Sequence, residues 1–239
     1  MTRVVNVLRR PCTGPAVWAG PDLADSDEWV LRLSPAQIDG LEVTLRAVRT
    51  RGLPLLKTTA DDFPLPTLAG ELERIADILE NGRGFVLVKR IPVEPYSLAE
   101  AGAIFWGVGR HLGVPVSQNA SGHMLGHSRD TGRSLADPGT RGYQTRARLP
   151  FHTDGSDALG LLYLRAARAG AQTSVVSSAA VYNAVWHGAV AGHRQGRDLP
   201  PDFWGDPQST GGGPDRGGVA PRDVIATQNS VGLGAWRHQ

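Results

Sequence analysis

A histidine and an aspartate two residues apart are the pair in this chain with the clearest chemical potential. His152 and Asp154 lie in residues 148–157, which read RLPFHTDGSD. Because β-rich sequence follows, we predict that the pair lies on a β-strand leading out of residues 142–145. Side chains at positions i and i+2 of a strand share one face, so an imidazole nitrogen and a carboxylate oxygen would converge. These are two of the three ligands of a 2-His-1-carboxylate site for non-haem Fe(II).

The same pair has a purely structural alternative. In an ordinary strand pair the histidine is satisfied by a neighbouring group and the aspartate faces solvent. The spacing of His152 and Asp154 does not decide between the two, because a His-x-Asp pattern arises by chance in many chains of this length. The surrounding sequence carries more weight. An apolar run covers residues 159–166, a turn follows at 169–170, and a second β-rich run covers residues 172–178.

Two helices and a strand are expected ahead of this region. Ser34 as N-cap, Pro35 at the first helical position and Gln37 three residues after the cap indicate a helix start, and Gly52 indicates its end. A second amphipathic helix is predicted from apolar residues at spacings of three and four. Those residues are Leu68, Leu72, Ile75, Ile78 and Leu79. Residues 85–91 then predict a strand from their β-branched and apolar content.

A third helix and a long loop complete the elements before the pair. Residues 97–100 form a capping box that opens a helix running to Gly113, and residues 114–119 return to strand character. Gly107 and Gly109 lie late in that helix, which argues against a dinucleotide-binding loop. Residues 120–141, with His123 and His127, predict a long loop that is either a lid over a site or mobile surface.

Composition restricts the broad class of the protein. With 239 residues and 41% hydrophobic content, the chain can bury one sizeable core. Lys57 and Lys89 are its only lysines and no basic block occurs, so no nucleic-acid partner is expected. Cys12 is the single cysteine, which excludes an intrachain disulfide and favours a reducing compartment. No run approaches the roughly 20 apolar residues of a membrane span, so we predict a cytoplasmic protein without a membrane partner.

Four blocks, taken in order, resemble the TauD/TfdA-like family of Fe(II)- and 2-oxoglutarate-dependent dioxygenases, which includes clavaminate synthase-like enzymes. The blocks read GFVLV, LGVPVSQN, LPFHTDGSD and LLYLRAARAGAQT, and they cover residues 84–88, 112–119, 149–157 and 161–173. The likeness extends over roughly residues 65 to 185. The order of the blocks is more specific than any one of them.

The resemblance implies an α+β, mainly β chain built as a double-stranded β-helix, or jelly roll, with flanking helices. It implies that His152 and Asp154 bind Fe(II), that Thr173 binds 2-oxoglutarate, and that Gln118 and Asn119 face a small-molecule substrate. Fe(II), 2-oxoglutarate as cosubstrate and O2 are the expected cofactors. Alternatively, Thr173 has only a structural role, as a β-branched residue of a strand. Asp157 either orients His152 or caps a turn.

The sequence departs from the family after about residue 185. We predict residues 1–185 as the dioxygenase domain and residues 186–239 as a disordered tail, because Gly, Pro and Arg accumulate there without amphipathic period. The abrupt change suggests a truncation or a shifted reading frame, and hence a jelly roll that is incomplete at its C-terminus. The third iron ligand and the arginine for 2-oxoglutarate are unassigned. The candidates considered are His187, His193, His238 and Arg197.

Three hypotheses follow. The first is an Fe(II)- and 2-oxoglutarate-dependent oxygenase that oxidises a C–H bond of a small molecule. The second is a catalytically inactive fragment of such an enzyme, with an open sheet edge. The third is a non-enzymatic binding module on a β-sandwich. The sequence specifies neither the substrate nor the oligomeric state.

Overall fold

The computed structural model describes residues 10–119, 121–165, 173–190, 224–227 and 234–237. Five helices and six strands lie in these ranges. The helices are α1 (Gly20–Ala24), α2 (Pro35–Arg51), α3 (Ala69–Glu80), α4 (Leu98–Leu112) and α5 (Ser178–Val190). The strands are β1 (Val30–Arg32), β2 (Phe85–Lys89), β3 (Val114–Val116), β4 (Ala158–Leu162), β5 (Val224–Thr227) and β6 (Gly234–Arg237). Short 3-10 turns cover Leu55–Lys57 and Gly142–Gln144.

Local capping fixes the ends of α2 as the sequence predicts. Ser34 accepts a hydrogen bond from the Gln37 backbone N–H at 3.3 Å, and the Gln37 side chain accepts one from the Ser34 N–H at 2.8 Å. Gly52 ends the helix with φ at 63°, a left-handed conformation that favours glycine. Helix α4 begins in the same way, because Ser97 and Glu100 satisfy each other's backbone N–H groups.

The hydrophobic core lies between the helices and one face of the sheet. Each of α2, α3 and α4 contributes a buried apolar stripe, which the three-and-four spacing of the sequence predicts. The stripe residues are Leu41, Leu45 and Val48 of α2, Leu72, Ile75 and Leu79 of α3, and Ala101, Ile104 and Phe105 of α4. Phe63, which is fully buried, fills the core from the α2–α3 connection.

Strand β2 is covered on both faces. Val86 and Val88 point into the helical core, whereas Phe85, one residue out of phase, is buried on the opposite face. There Trp18 and Trp29 pack on Phe85 with ring centroids 5.0 and 5.9 Å away. Both tryptophans therefore serve packing.

The six strands form one mixed sheet in the order β1-β2-β5-β4-β6-β3. Strands β1 and β2 are parallel, and every other pair is antiparallel. Strand β5 therefore lies between β2 and β4, and β6 lies between β4 and β3. Within the ranges described above there is no second sheet, so the jelly roll and its incompleteness stay predictions. Helices cover more of the described residues than strands do, so the expectation of a mainly β chain is wrong for this part.

The N-terminal segment is tied to α5. The Asn183 side-chain amide makes two bonds to the Cys12 backbone, accepting from its N–H at 2.7 Å and donating to its carbonyl at 2.9 Å. The Ser177 hydroxyl donates to the Ala16 carbonyl at 2.5 Å. Segments more than 160 residues apart in sequence are thereby joined.

One strand prediction fails in the second half of the chain. A strand is predicted over residues 172–178, but residues 173–177 have no regular structure and α5 begins at Ser178. Helix α5 continues past residue 185, and β5 and β6 lie within residues 186–239. The domain boundary at residue 185 and the disorder of residues 186–239 stay predictions. The remainder of that segment is outside the described residues. Among the described residues, none of the helices combines the length and the hydrophobicity that a membrane span requires.

Candidate metal centre

The segment that carries His152 and Asp154 is irregular. It runs from the 3-10 turn Gly142–Gln144 to β4, which begins only at Ala158. The prediction that the pair lies on a strand is therefore wrong, and the shared-face argument does not apply. The segment is positioned by local contacts instead, among them Leu149, whose side chain lies over Gly142 so closely that a methyl group there would come 2.1 Å from its Cδ2.

The imidazole of His152 has a defined tautomer. Its Nδ1 lies 2.7 Å from the Pro150 carbonyl oxygen. A carbonyl only accepts, so Nδ1 must carry the proton, and in the neutral ring Nε2 keeps its lone pair. His152 is exposed. Metal-ligating histidines are commonly held in this way: one ring nitrogen binds the metal, and the other donates its N–H to a backbone carbonyl.

The burial of the Asp154 carboxylate is only partly compensated. Its Oδ2 is buried and has no hydrogen-bond partner among the described residues. Desolvation raises the pKa of Asp154, and the opposing influence that lowers it is the charge of His152. The charge that His152 carries when it is protonated therefore acts on the Asp154 carboxylate, although the two residues do not lie on a strand.

Together these residues fit two ligands of a divalent cation. A cation would neutralise the buried carboxylate and accept the free Nε2 lone pair, which are the donor types that non-haem Fe(II) prefers. No group of three or more His, Cys, Asp or Glu side chains able to hold a metal occurs within the described part of the chain. His187 lies exposed on α5. The other candidates for the missing residues, His193, His238 and Arg197, are outside the described ranges.

Thr173 is brought next to a tyrosine that the sequence did not single out. Its hydroxyl is hydrogen-bonded to the Tyr163 hydroxyl, and both side chains are half-buried. Burial raises the pKa of Tyr163, while the bond to Thr173 acts in the opposite direction. Tyr163 follows β4 directly, so the pair links the end of that strand to the segment before α5. The sequence around Tyr163 is apolar and β-rich, so it did not predict this contact between two hydroxyl groups.

Gln118 and Asn119 are engaged within their own turn. Gln118 donates through Nε2 to the Val116 carbonyl at 2.8 Å. Asn119 accepts from the Ser121 N–H at 3.0 Å, and its Nδ2 lies 2.9 Å from His123 Nδ1. These contacts give both side chains a structural role in the turn, and the predicted role in facing substrate remains a prediction.

The long loop predicted after this turn is confirmed over residues 121–141. Hydrogen bonds join this loop to the segment that leads to His152. The Arg129 N–H donates to the Tyr143 carbonyl at 3.0 Å, and the Thr131 N–H donates to the Gln144 carbonyl at 2.9 Å. Asp130 forms an ion pair with Arg146. The loop is thus joined to residues 143–146, immediately ahead of His152. His127 and Asp157 are exposed, and the proposed roles of Asp157 remain open.

Comparison with known proteins identifies the family. Residues 49–208, more than half of the chain, match the family model described as taurine catabolism dioxygenase TauD, TfdA family. The chain belongs to the TauD/TfdA family. The family resemblance drawn from the four sequence blocks is thereby confirmed.

Two curated proteins are similar to this TauD/TfdA-family chain. FR-33289 synthase of Streptomyces rubellomurinus is 30% identical over 181 residues, which cover 75% of the chain and 53% of that protein. The taurine hydroxylase-like protein SAT17 of Stachybotrys chartarum is 27% identical over 173 residues, which cover 70% and 45%. The chain spans about half the length of these relatives.

A solved structure also aligns with this family member. It is the non-heme iron oxygenase OrfP in complex with Fe, succinate and (3S)-hydroxy-L-Arg. The alignment covers 88% of this chain and 89% of that one, with 14% sequence identity and a TM-score of 0.49.

Proposed function

We propose that the chain is an Fe(II)- and 2-oxoglutarate-dependent oxygenase that oxidises an unactivated C–H bond of a small molecule. Family membership supports a dioxygenase in general terms. The observation that carries the proposal to particular residues is that, two positions apart, His152 keeps its Nε2 available and Asp154 has a buried carboxylate oxygen without a hydrogen-bond partner. Bound at this pair, iron would supply the activation of O2 coupled to decarboxylation of 2-oxoglutarate.

The roles of the two candidate ligands follow from their surroundings. The Pro150 carbonyl holds the His152 ring, which fixes both its tautomer and its orientation. Asp154 is destabilised as an anion by burial, so a cation that binds it removes an electrostatic cost which the metal-free chain carries. The exposure of His152 leaves this side of the site accessible from solvent.

Thr173 is proposed to bind the cosubstrate. Its hydroxyl, already oriented by Tyr163, would donate to a 2-oxoglutarate oxygen while Tyr163 donates to Thr173. The phenol is suited to that donor role because burial raises its pKa and keeps it protonated. Gln118 and Asn119 are proposed to face the substrate from the β3 side of the chain.

A catalytically inactive family member is the second candidate. The specific observation in its favour is that His152 and Asp154 have no third ligating side chain beside them in the described ranges. Such a chain would bind a cation weakly or not at all. A non-enzymatic binding module is the third outcome, and it requires a folded protein that binds no Fe(II).

Anaerobic titration with Fe(II) and 2-oxoglutarate separates these functions. We expect a weak metal-to-ligand charge-transfer band in visible absorbance from the wild-type chain and its loss in His152→Ala and Asp154→Ala. His152 is exposed, so its variant should keep the wild-type melting temperature. His127→Ala, which changes an exposed loop histidine, is the matched control and should keep the band. A folded, monodisperse wild-type protein without the band, or iron content unchanged in His152→Ala, would refute the proposal.

A further inference from the structure

Ser156 is a buried polar residue whose hydroxyl the fold leaves unsatisfied. It lies two residues after Asp154 and two before the start of β4, and it is only 9% exposed. Its Oγ has no hydrogen-bond partner within the residues that the structure covers. Burial of a hydroxyl without a partner is unfavourable, so such a group calls for a bonding partner beyond the described residues.

The other buried serine shows what an ordinary structural hydroxyl does in this fold. Ser177 is 5% exposed, and its Oγ donates to the Ala16 carbonyl at 2.5 Å and accepts from the Ala180 N–H at 2.9 Å. That hydroxyl is used to cap α5 and to hold the N-terminal segment. Ser156 has neither kind of contact, so a structural role of this type does not account for its burial.

Ser156 and Asp154 need partners of different chemistry. The unpartnered Asp154 Oδ2 is an acceptor that a cation satisfies. A hydroxyl hydrogen is not satisfied by a cation, because it needs an oxygen or nitrogen lone pair. A cation that arrives with an oxygen ligand would satisfy both groups at once. Water and a carboxylate are the two oxygen ligands that fit this description.

We propose that Ser156 is a third binding residue of the site and that its hydroxyl forms a hydrogen bond with the water or carboxylate that enters with the cation, accepting from a water O–H or donating to a carboxylate oxygen. This inference rests on the proposed function, because it assumes that His152 and Asp154 bind the cation. Ser156 is distinct from the two residues proposed to bind the cation directly. Its binding role also explains why a small polar side chain is buried at a position where alanine would fill nearly the same volume.

Calorimetric titration of the full chain tests the assignment without turnover. The probes are Mn(II) alone and then 2-oxoglutarate added to the Mn(II)-loaded chain. We expect Ser156→Ala to weaken one of these steps about tenfold or more, as loss of a charge-assisted hydrogen bond does. A weaker first step identifies water as the partner, and a weaker second step alone identifies the carboxylate. Ser156→Thr, which keeps the hydroxyl, should restore binding.

The melting temperatures of the metal-free variants distinguish a binding role of Ser156 from a structural role. Ser156→Ala should melt no lower than the wild type, because it removes an unsatisfied buried hydroxyl. Ser177→Ala is the matched control and should melt lower, because it breaks two observed bonds.

The outcomes that refute this assignment differ from those that refute the proposed function. If the wild-type chain binds Mn(II) but Ser156→Ala binds both probes equally well, the Ser156 assignment alone is wrong. The same holds if Ser156→Ala melts as low as Ser177→Ala. A wild-type chain that binds no Mn(II) overturns both the assignment and the proposed function.

Discussion

A methyl group added at Gly107 of α4 would collide with the centre of the core. Its carbon would lie 2.4 Å from Cδ1 and Cγ of the Phe63 ring and 2.7 Å from Cδ2. Phe63 is 0% exposed, and its carbonyl accepts a hydrogen bond from His111 Nε2 at 2.8 Å. Because the Phe63 ring is enclosed in the core, it cannot relieve the collision by moving into solvent. Ring and helix must separate by about 1 Å to restore an ordinary carbon–carbon contact of about 3.5 Å.

The expected cost of Gly107→Ala combines two opposing effects. Overpacking of a core costs about 1–3 kcal/mol, and a contact this short places the substitution in the upper half of that range. Replacing glycine by alanine inside a helix contributes about 1 kcal/mol in the other direction. We therefore expect a net loss of about 1–2 kcal/mol in the free energy of unfolding, which lowers the melting temperature by a few degrees.

Gly102→Ala is the matched control on the same helix. The nearest atom to an added methyl group there is Leu125 Cδ1 at 3.8 Å, an ordinary contact. The variant should be more stable than the wild type by about 0.5–1 kcal/mol, because only the glycine entropy effect remains. Urea denaturation of both variants measures the difference. If Gly107→Ala gains stability to the same extent as Gly102→Ala, the packing of Phe63 against α4 is not as described.

Two further predictions concern the same helix. Hydrogen bonds from Ser97 and the charge of Arg49 hold the pKa of Glu100 below its ordinary value. The stability that ionised Glu100 contributes is therefore present above the unfolded-state pKa of about 4.3 and is lost as the pH falls through the lower folded-state pKa. The difference in melting temperature between the wild type and Glu100→Gln should accordingly vanish in acid. A difference that persists or grows below that range would contradict this pKa direction. Trp106→Phe should cost about 2–3 kcal/mol in urea denaturation, because Trp106 is 1% exposed and its Nε1 donates to the Thr58 carbonyl at 2.9 Å; a cost below about 0.5 kcal/mol would contradict it.

The predictions that rest on local sequence agree with the structure. The capping residues of α2 and α4 can be identified because their side chains bond to backbone groups three residues away, and such a signal is complete within the sequence window. The apolar stripes of the three core helices are local in the same sense, since the spacing of three and four residues determines which face is buried.

The errors have two origins: a local cap that the composition obscures, and strands whose structure distant residues decide. The β-branched pair Val175 and Val176 favours a strand, but Ser177 accepts a hydrogen bond from the Ala180 N–H and opens α5. That capping contact is local, but the β-branched composition of the neighbouring residues led to the strand prediction. Strands β5 and β6 have no such local signal, because each is four residues long and gains its hydrogen bonds from neighbours far away in sequence.

The candidate site could be predicted only in part. The residue types of His152 and Asp154 point to iron, but the segment that holds them is irregular and not the strand that the spacing predicts. The Pro150 carbonyl that fixes the histidine tautomer and the unpartnered hydroxyl of Ser156 are consequences of three-dimensional burial and of backbone direction. Neither property is encoded in residue type or spacing alone.

The insertion of β5 and β6 between earlier strands has a consequence for synthesis on the ribosome. Strands β2, β3 and β4 are made before β5 and β6, yet in the finished sheet none of the three is paired with another of them. The strand edges that pair with β5 and β6 therefore stay open until residues 224–237 have been translated. The nascent chain can assemble β1, β2 and the first helices early, but it must carry exposed strand edges for much of its elongation. Chaperone dependence and inclusion-body formation during rapid expression are the expected signs of that delay.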